Sequence, residues 1–496
     1  MKRLSVLALC LCVLPLGAQD AAKAAKKPEK PRFELGIPDK PFTSDVAKLM
    51  QEVADHQQAY ANLEEMSDGI GPRLTGSERL RKAQAWAMDK LKGYGAVNVH
   101  EEPWAFGPSW TRGHDWARLT NCNGVDLEIA GQAWGPATMV PKSKHSKKLV
   151  PGAVKGEVVL VAAKTMDELK ALVPTLAGKI VMYGDLPKPA QGQDRMAYYK
   201  ELMGLLREAK PAVVLRSSGR ENGLLNMTGS PVSQWGKATV PTAFLSGEHA
   251  NLLERLIKRG QHPQIEIQIG GELSKAPVTC YNVVAEIKGS TWPDQVVIVG
   301  GHQDSWDLGT GATDNGTGTV VAMETLRAIQ ALGVKPKRTL RVVLFTGEEQ
   351  GLLGSNAYAE AHKDEMANIQ AVLVDDMGTG QIQGWPDMGQ EQWRGWLAQA
   401  MAPANQIGCT EIGAFVQPGD TDHWPFFQMG VPAFAAIQDP VDYMTTTHHS
   451  QADTFDHVKK DDLVEGAQAM AATAWFFLNT PERVPHIAPA EKKAAH

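Results

Sequence analysis

Two histidines and a group of carboxylates follow apolar runs in the second half of the chain. Val296-Val297-Ile298-Val299 leads into Gly300-Gly301-His302-Gln303-Asp304. Val342-Val343-Leu344-Phe345 leads into Thr346-Gly347-Glu348-Glu349, and Ala371-Val372-Leu373-Val374 into Asp375-Asp376-Met377-Gly378. The Gly-rich turn Gly309-Thr310-Gly311-Ala312-Thr313-Asp314-Asn315-Gly316 lies between the first two, and Thr447-His448-His449-Ser450-Gln451-Ala452-Asp453-Thr454 follows the last. A single acidic residue after a strand reads as a helix cap or turn residue. Several of them converging on one crevice would repel one another and rise in pKa unless a cation were present. The pattern therefore predicts a metal centre. Imidazole and carboxylate ligands without thiolate suit zinc, with manganese or cobalt as poorer fits. Two ions about 3.5–4 Å apart, bridged by one carboxylate, would together polarise a carbonyl and activate a water. Asp304, two residues after His302, suits the acceptor that fixes the imidazole. Of the adjacent Glu348 and Glu349, one can bind metal while the other takes the water's proton.

Convergence requires elements that end on one side of a sheet. From about Cys280 the chain alternates apolar strands (Gln295–Val299, Leu340–Phe345, Ile369–Val374, Pro432–Ile437) with helices (Gly316–Leu332, Gly354–Ala361, Asp461–Leu478). Fully apolar strands alternating with helices predict an α/β fold with a doubly wound, mostly parallel sheet, which binds ligands beyond the carboxyl ends of its strands. Between Ser44 and Pro103 the sequence predicts two helices, the second opening after Thr75-Gly76-Ser77 and ending at Gly93, then a short strand over Val97–Val99. The middle, 120–275, has short β-rich runs and neither an acidic cluster nor a His-rich motif. It reads as an inserted domain, leaving a catalytic domain in two pieces, 43–119 and 276–483.

The combined motifs resemble those of the co-catalytic zinc exopeptidases, the superfamily of zinc aminopeptidases and glutamate carboxypeptidases. The resemblance runs from about Ser44 to Leu478 and rests on Gly301-His302-x-Asp304, Gly311-Ala312-Thr313-Asp314-Asn315-Gly316, Thr346-Gly347-Glu348-Glu349-x-Gly351, Asp376-Met377-Gly378 and His449-Ser450-x-x-Asp453-Thr454. It also takes in Ile70-Gly71-Pro72-Arg73-Leu74-Thr75-Gly76 and Asn282-Val283-Val284-Ala285-Glu286. It implies two zinc ions per chain, with His302 and Asp376 on one, Glu349 and His449 on the other, and Asp314 bridging them. Glu348 becomes the general base, and His448 a group beside the developing oxyanion. The insertion becomes a protease-associated-type domain, and the assembly a homodimer. The resemblance leaves aminopeptidase and dipeptidase/carboxypeptidase activity both open, with Ser305-Trp306-Asp307 and His448 tilting towards a short-peptide substrate. His423, in Asp422-His423-Trp424-Pro425-Phe426, reads as a structural hydrogen-bonding group of the crevice wall. A receptor-like binding protein on the same fold would have lost ligands that this chain keeps. A zinc glutaminyl cyclase would need only part of the set.

Composition bounds these readings. The 496 residues carry 50 Lys and Arg against 56 Asp and Glu, a formal charge of −6, without the basic footprint of a nucleic-acid-binding protein. Met1-Lys2-Arg3 and the apolar run Leu4–Leu16, ending at Gly17-Ala18-Gln19, read as a signal peptide over 1–19, which predicts a secreted or periplasmic protein with no membrane partner after cleavage. Ala-, Lys- and Pro-rich composition predicts a flexible tether over 20–42 and a flexible tail over 484–496. Beyond the signal only Cys122, Cys280 and Cys409 remain, too few and too widely spaced for a disulfide framework or a thiolate metal site.

Overall fold

The computed structural model describes residues 44–490, except 239, 417 and 418. The expected signal peptide (1–19) and tether (20–42) lie outside the described residues, as do the last six residues of the expected tail. Six strands form the first sheet: β1 (Val97–Arg112), β2 (Gly271–Ile287), β3 (Trp292–His302), β4 (Arg338–Phe345), β5 (Ile369–Val374) and β6 (Ala433–Ala435), in the order β1-β2-β4-β3-β5-β6. β4, β3, β5 and β6 are mutually parallel, and β2 runs antiparallel to both of its neighbours. Five helices bear on the argument: α1 (Ser44–His56), α2 (Glu78–Gly93), α3 (Thr317–Ala331), α4 (Leu353–Ala361) and α5 (Lys460–Asn479). Ser77 caps α2 by accepting from the Leu80 nitrogen at 3.2 Å, as its position before the helix requires.

Alternation along the strands divides the apolar side chains between two cores. Val297, Val299, Leu340, Val342, Leu344 and Leu373 join α1, α3 and α5 in the larger core. Val296, Ile298, Val343, Phe345 and Val372 face the other way and pack with Tyr358, Ala359 and Phe426. Both faces of the sheet are thus covered, which explains why its strands are apolar throughout rather than alternating.

The strand expected at Val97–Val99 is instead the start of the 16-residue β1, paired with the 17-residue β2. Pro103, Gly107 and Pro108 interrupt its local pattern, and the register shifts at Ala105/Gly107 and Pro108/Trp110 accommodate them. A second, eight-stranded sheet is built from strands between Trp116 and Gln268 around its own core, which includes Leu119, Val158, Leu215, Leu245 and Ile267. Its bounds differ from the expected 120–275: Trp116–Leu119 already pairs in the second sheet, and β2 of the first resumes at Gly271. The reason lies at the junction, where the connecting backbones touch. A Cβ on Gly113 would stand 2.7 Å from the Gly270 Cα.

Residues 484–490, expected as part of a flexible tail, are fastened down. Val484 is buried, the Trp393 indole donates to the Pro485 carbonyl (2.7 Å), and the Ile487 nitrogen donates to the Gly430 carbonyl (3.0 Å). Composition could not show this, because the segment is held mainly through its backbone. Cys122, Cys280 and Cys409 are all free thiols. Among the described residues no helix is long and apolar enough to cross a membrane.

Candidate metal centre

β3, β4 and β5 deliver His302, Glu348–Glu349 and Asp375–Asp376 to one end of the first sheet, because they are parallel and in register there. The Gly309–Gly316 turn and the segment after Thr447 close over the same end. They line, with Tyr443 and Thr421, a crevice of about 420 Å³ that contains Asp314, Glu348, Glu349, Asp376, His448 and His449.

Local chemistry explains how each turn is aimed. Gly347, at φ +76°, lies where a Cβ would meet the Trp104 ring at 2.6 Å, so glycine alone permits the bend that turns both glutamates inward. The Thr346 nitrogen donates to Asn282 Oδ1 (3.0 Å) and holds the start of that bend. Gly311, at φ +66°, packs on Ser305 and the Arg73 guanidinium. Asn315 Nδ2 donates to the Asp375 carbonyl (2.7 Å), its Oδ1 accepts from the Gly318 nitrogen (2.8 Å), and the turn is thereby tied to the start of α3. His449 occupies the left-handed region at φ +53°, held by the Met227 nitrogen donating to its carbonyl (2.7 Å).

The resulting geometry has two lobes sharing one carboxylate. His302 Nε2 lies 3.1 Å from Asp376 Oδ1 and 3.3 Å from Asp314 Oδ1. His449 Nε2 lies 3.0 Å from Glu349 Oε2 and 3.5 Å from Asp314 Oδ2. Glu348 reaches the crevice, with its Oε2 3.8 Å from His302 Nε2. Asp375, the other member of its doublet, is buried and not part of the crevice lining. His448 lines the crevice, stacked on His449 at 3.8 Å between ring centres and edge-on to Tyr443 at 5.0 Å.

These distances suit divalent cations. Asp314 Oδ2 and both Glu349 carboxylate oxygens are buried with no hydrogen-bond partner among the described residues. Buried carboxylate oxygens without donors are costly unless a cation satisfies them. Burial, reinforced by the charge of Asp314 for Glu349 and of Asp376 for Glu348, pushes both glutamates well above the carboxylate range, against the opposing pull of His302. Burial acts the same way on Asp314, but the His302 hydrogen bond and the charges of His449 and His302 outweigh it and hold its carboxyl far below the usual range. Burial disfavours protonated His302, yet the surrounding Asp376, Asp304 and Asp314 raise it well above an ordinary imidazole. Burial, then the charge of His449, pushes His448 down to about 4, leaving a neutral ring facing the crevice at neutral pH.

Asp304 fixes His302 differently from the expectation. Its backbone carbonyl, not its carboxylate, is the nearer partner of His302 Nδ1 (3.0 Å against 3.6 Å), and its carboxylate accepts from Thr75 Oγ1 at 2.7 Å. His423 also departs from it: the side chain is fully buried and neither ring nitrogen has a hydrogen-bond partner, so the expected structural bond is absent among the described residues. Burial alone pushes that imidazole down to about 3.

Two supporting residues had no role assigned from spacing. Fully buried Arg73 donates to the carbonyls of Gln303 (2.7 Å), Thr310 (2.7 Å) and Gly311 (2.6 Å), joining the end of β3 to the turn that carries Asp314. Asp453 accepts from the nitrogens of Thr313 (2.6 Å) and Asp314 (3.2 Å). Both stood inside quoted motifs, but a residue that binds backbone carries no signature in its type.

The family described as "Peptidase family M28" matches residues 282–474, a span that contains every crevice ligand named above. Carboxypeptidase Q from Bos taurus is 32% identical over 448 residues, covering 89% of this chain and 90% of that protein. The crystal structure of a peptidase M28 precursor from Shewanella amazonensis superposes with a TM-score of 0.75 at 28% identity, over 90% of this chain and 98% of that one. A zinc aminopeptidase from Bacillus subtilis shares the fold at a TM-score of 0.63 and 19% identity, over 87% of this chain and 97% of that one. Similarity that extends almost from end to end, and is not confined to the ligand-bearing turns, establishes that the chain belongs to peptidase family M28.

Proposed function

We propose that this chain is a zinc-dependent exopeptidase acting on dipeptides and other short peptides, with two zinc ions in the crevice. His302, Asp376 and Asp314 would hold one ion, and His449, Glu349 and Asp314 the other. The observation that carries this reading is the Asp314 carboxylate, which presents Oδ1 to His302 and Oδ2 to His449. Zinc bound there supplies a Lewis acid that polarises the scissile carbonyl and acidifies water. Glu348, its carboxylate reaching the crevice, takes a proton from the water as its oxygen bonds to the carbonyl carbon. It returns that proton to the amide nitrogen as the C–N bond breaks. Neutral His448 offers a ring N–H to the negative charge growing on the carbonyl oxygen. The carboxypeptidase Q relatives and the size of the crevice support a short-peptide exopeptidase. The eight-stranded sheet supports a protease-associated-type insertion, and the basic and apolar start of the chain supports export.

The test combines elemental analysis with hydrolysis of unblocked dipeptides, N-blocked dipeptides and amino-acid arylamides, with and without chelator. Two zinc ions per chain and chelator-sensitive cleavage of unblocked dipeptides are expected. Glu348→Gln should keep its zinc and lose about a thousandfold in kcat. Activity that survives complete zinc removal would sink the mechanism, and normal turnover by Glu348→Gln would remove that residue as the base.

A further inference from the structure

One stretch of the chain runs against its overall acidity. The formal charge is −6, yet 129–156 holds no Asp or Glu, and Lys142-Ser143-Lys144-His145-Ser146-Lys147-Lys148 lies at its centre. We infer that the hairpin built on this stretch is a membrane-docking element, whose basic turn and one apolar face settle together on a lipid surface bearing anionic headgroups. The inference goes beyond the peptidase reading and does not depend on it. It departs from the expectation of no membrane partner, because the lack of a spanning segment does not bear on an element that lies on the surface.

Met139–Pro141 pairs with Leu149–Pro151 as a two-stranded sheet separate from both larger ones. Opposed residues of an antiparallel pair share a face, and faces alternate along each strand. Met139 opposes Pro151 and Pro141 opposes Leu149, so these four side chains lie on one face. All four are exposed, Leu149 to 52% and Met139 to 42%. Val140 opposes Val150 on the other face, where both are half-buried, and a Cβ on Gly152 would stand 2.6 Å from Val140 Cγ2. The valine face is therefore turned to the protein and the Met139–Leu149 face to solvent. The base of the hairpin is fixed, since the Thr138 nitrogen donates to the Ile269 carbonyl (2.9 Å) and the Gly152 nitrogen to the Thr138 carbonyl (3.0 Å). The turn is held by the Lys142 nitrogen donating to the Lys148 carbonyl (2.8 Å) and the Ser146 nitrogen to the Ser143 carbonyl (2.9 Å).

Lysines on an exposed hairpin often guard its edges against pairing with another chain. Here the strands carry no charge and are guarded by Pro141 and Pro151, while Lys142, Lys144, Lys147 and Lys148 gather in the turn. All four are exposed, and none forms an ion pair among the described residues. Charge of one sign beside exposed apolar side chains meets both requirements of interfacial binding: attraction to anionic headgroups, and burial of apolar groups at the acyl boundary. A soluble polyanion would use the lysines and leave Met139 and Leu149 in water. A lipid surface takes up both.

The test is cosedimentation of the zinc-loaded chain, residues 20–496, with vesicles of phosphatidylcholine alone or of equal parts phosphatidylcholine and phosphatidylglycerol, beside retention on immobilised dextran sulfate. Binding to the mixed vesicles alone is expected, weakening as salt rises. Combining Lys142→Gln, Lys144→Gln, Lys147→Gln and Lys148→Gln should weaken it at least about a hundredfold, at about fivefold per lysine. Met139→Ser with Leu149→Ser should weaken it about tenfold and leave retention on dextran sulfate unchanged. An unchanged melting temperature shows that each variant is folded. No binding to the mixed vesicles, or equal binding to both kinds, would overturn the proposal. Binding indifferent to the four lysines would place the contact in the Lys-rich stretch 20–42 and overturn it too. Lysine-dependent binding insensitive to Met139 and Leu149 would replace the lipid surface with a soluble polyanion. None of these readouts involves peptide hydrolysis, so the docking element and the peptidase reading stand or fall separately.

Discussion

Asp314 owes its position to residues that hold its backbone rather than its carboxylate. Asp453 accepts from the nitrogens of Thr313 and Asp314, and Arg73 grips the carbonyls of Thr310 and Gly311 just before them. Supporting groups of this kind tune metal affinity by fixing the ligand in place before the ion arrives. Asp453→Ala should therefore weaken zinc binding about tenfold to a hundredfold, measured by competition with a chromophoric chelator. Unchanged affinity would leave the shape of the turn to Arg73 alone. Arg73→Met strands several buried carbonyls and should cost about 3 kcal/mol of stability in urea denaturation, a large fraction of the total for a domain. The crevice imidazoles and carboxylates were legible from the sequence because most follow an apolar strand. The Arg73 and Asp453 contacts were not, since they join positions more than a hundred residues apart in sequence through backbone atoms.

At the level of elements, the long β1–β2 pair and the glycine junction decide how the two sheets meet. A Cβ on Gly270 would stand 2.6 Å from the His114 nitrogen and 2.7 Å from the Gly113 Cα, so Gly270→Ala forces two backbones apart. It should lower stability by about 1–3 kcal/mol and speed proteolysis between the sheets, read by thermal denaturation and limited digestion. A second contact ties α4 to β1. His362, just after α4, lies 2.9 Å from Glu102 of β1 and 3.2 Å from Glu365. The Glu102 hydrogen bond outweighs burial and raises the His362 pKa above 6.5. The folded chain then holds a proton that the unfolded chain releases. This contribution to stability is full below pH 6.5 and is lost as pH rises through the raised His362 value. Denaturation of wild type and His362→Gln across that range should converge at high pH; a constant difference would refute the linkage.

For the whole molecule, two divalent ions would add four positive charges to a chain whose formal charge is −6, and add them where the buried acids cluster. Zinc should stabilise the fold by about 2.7 kcal/mol per independent site at free zinc a hundredfold above its Kd, read as a concentration-dependent rise in melting temperature that chelator reverses. A melting temperature indifferent to zinc would contradict the metal centre. The α/β class, and the imidazole and carboxylate groups placed after apolar strands, were legible along the chain alone. They were legible there because hydrophobic patterning and the side-chain chemistry of a strand end are local properties. Only the tertiary structure decided that Asp314 faces both histidines and that His302 leans on a backbone carbonyl of Asp304. It alone brought Leu225 and Met227, from the segment between strands of the second sheet, against Gln451 and the His449 carbonyl. Those relations depend on strand register, on a junction of two glycines, and on backbone hydrogen bonds between distant segments, none of which is encoded in the type of any single residue.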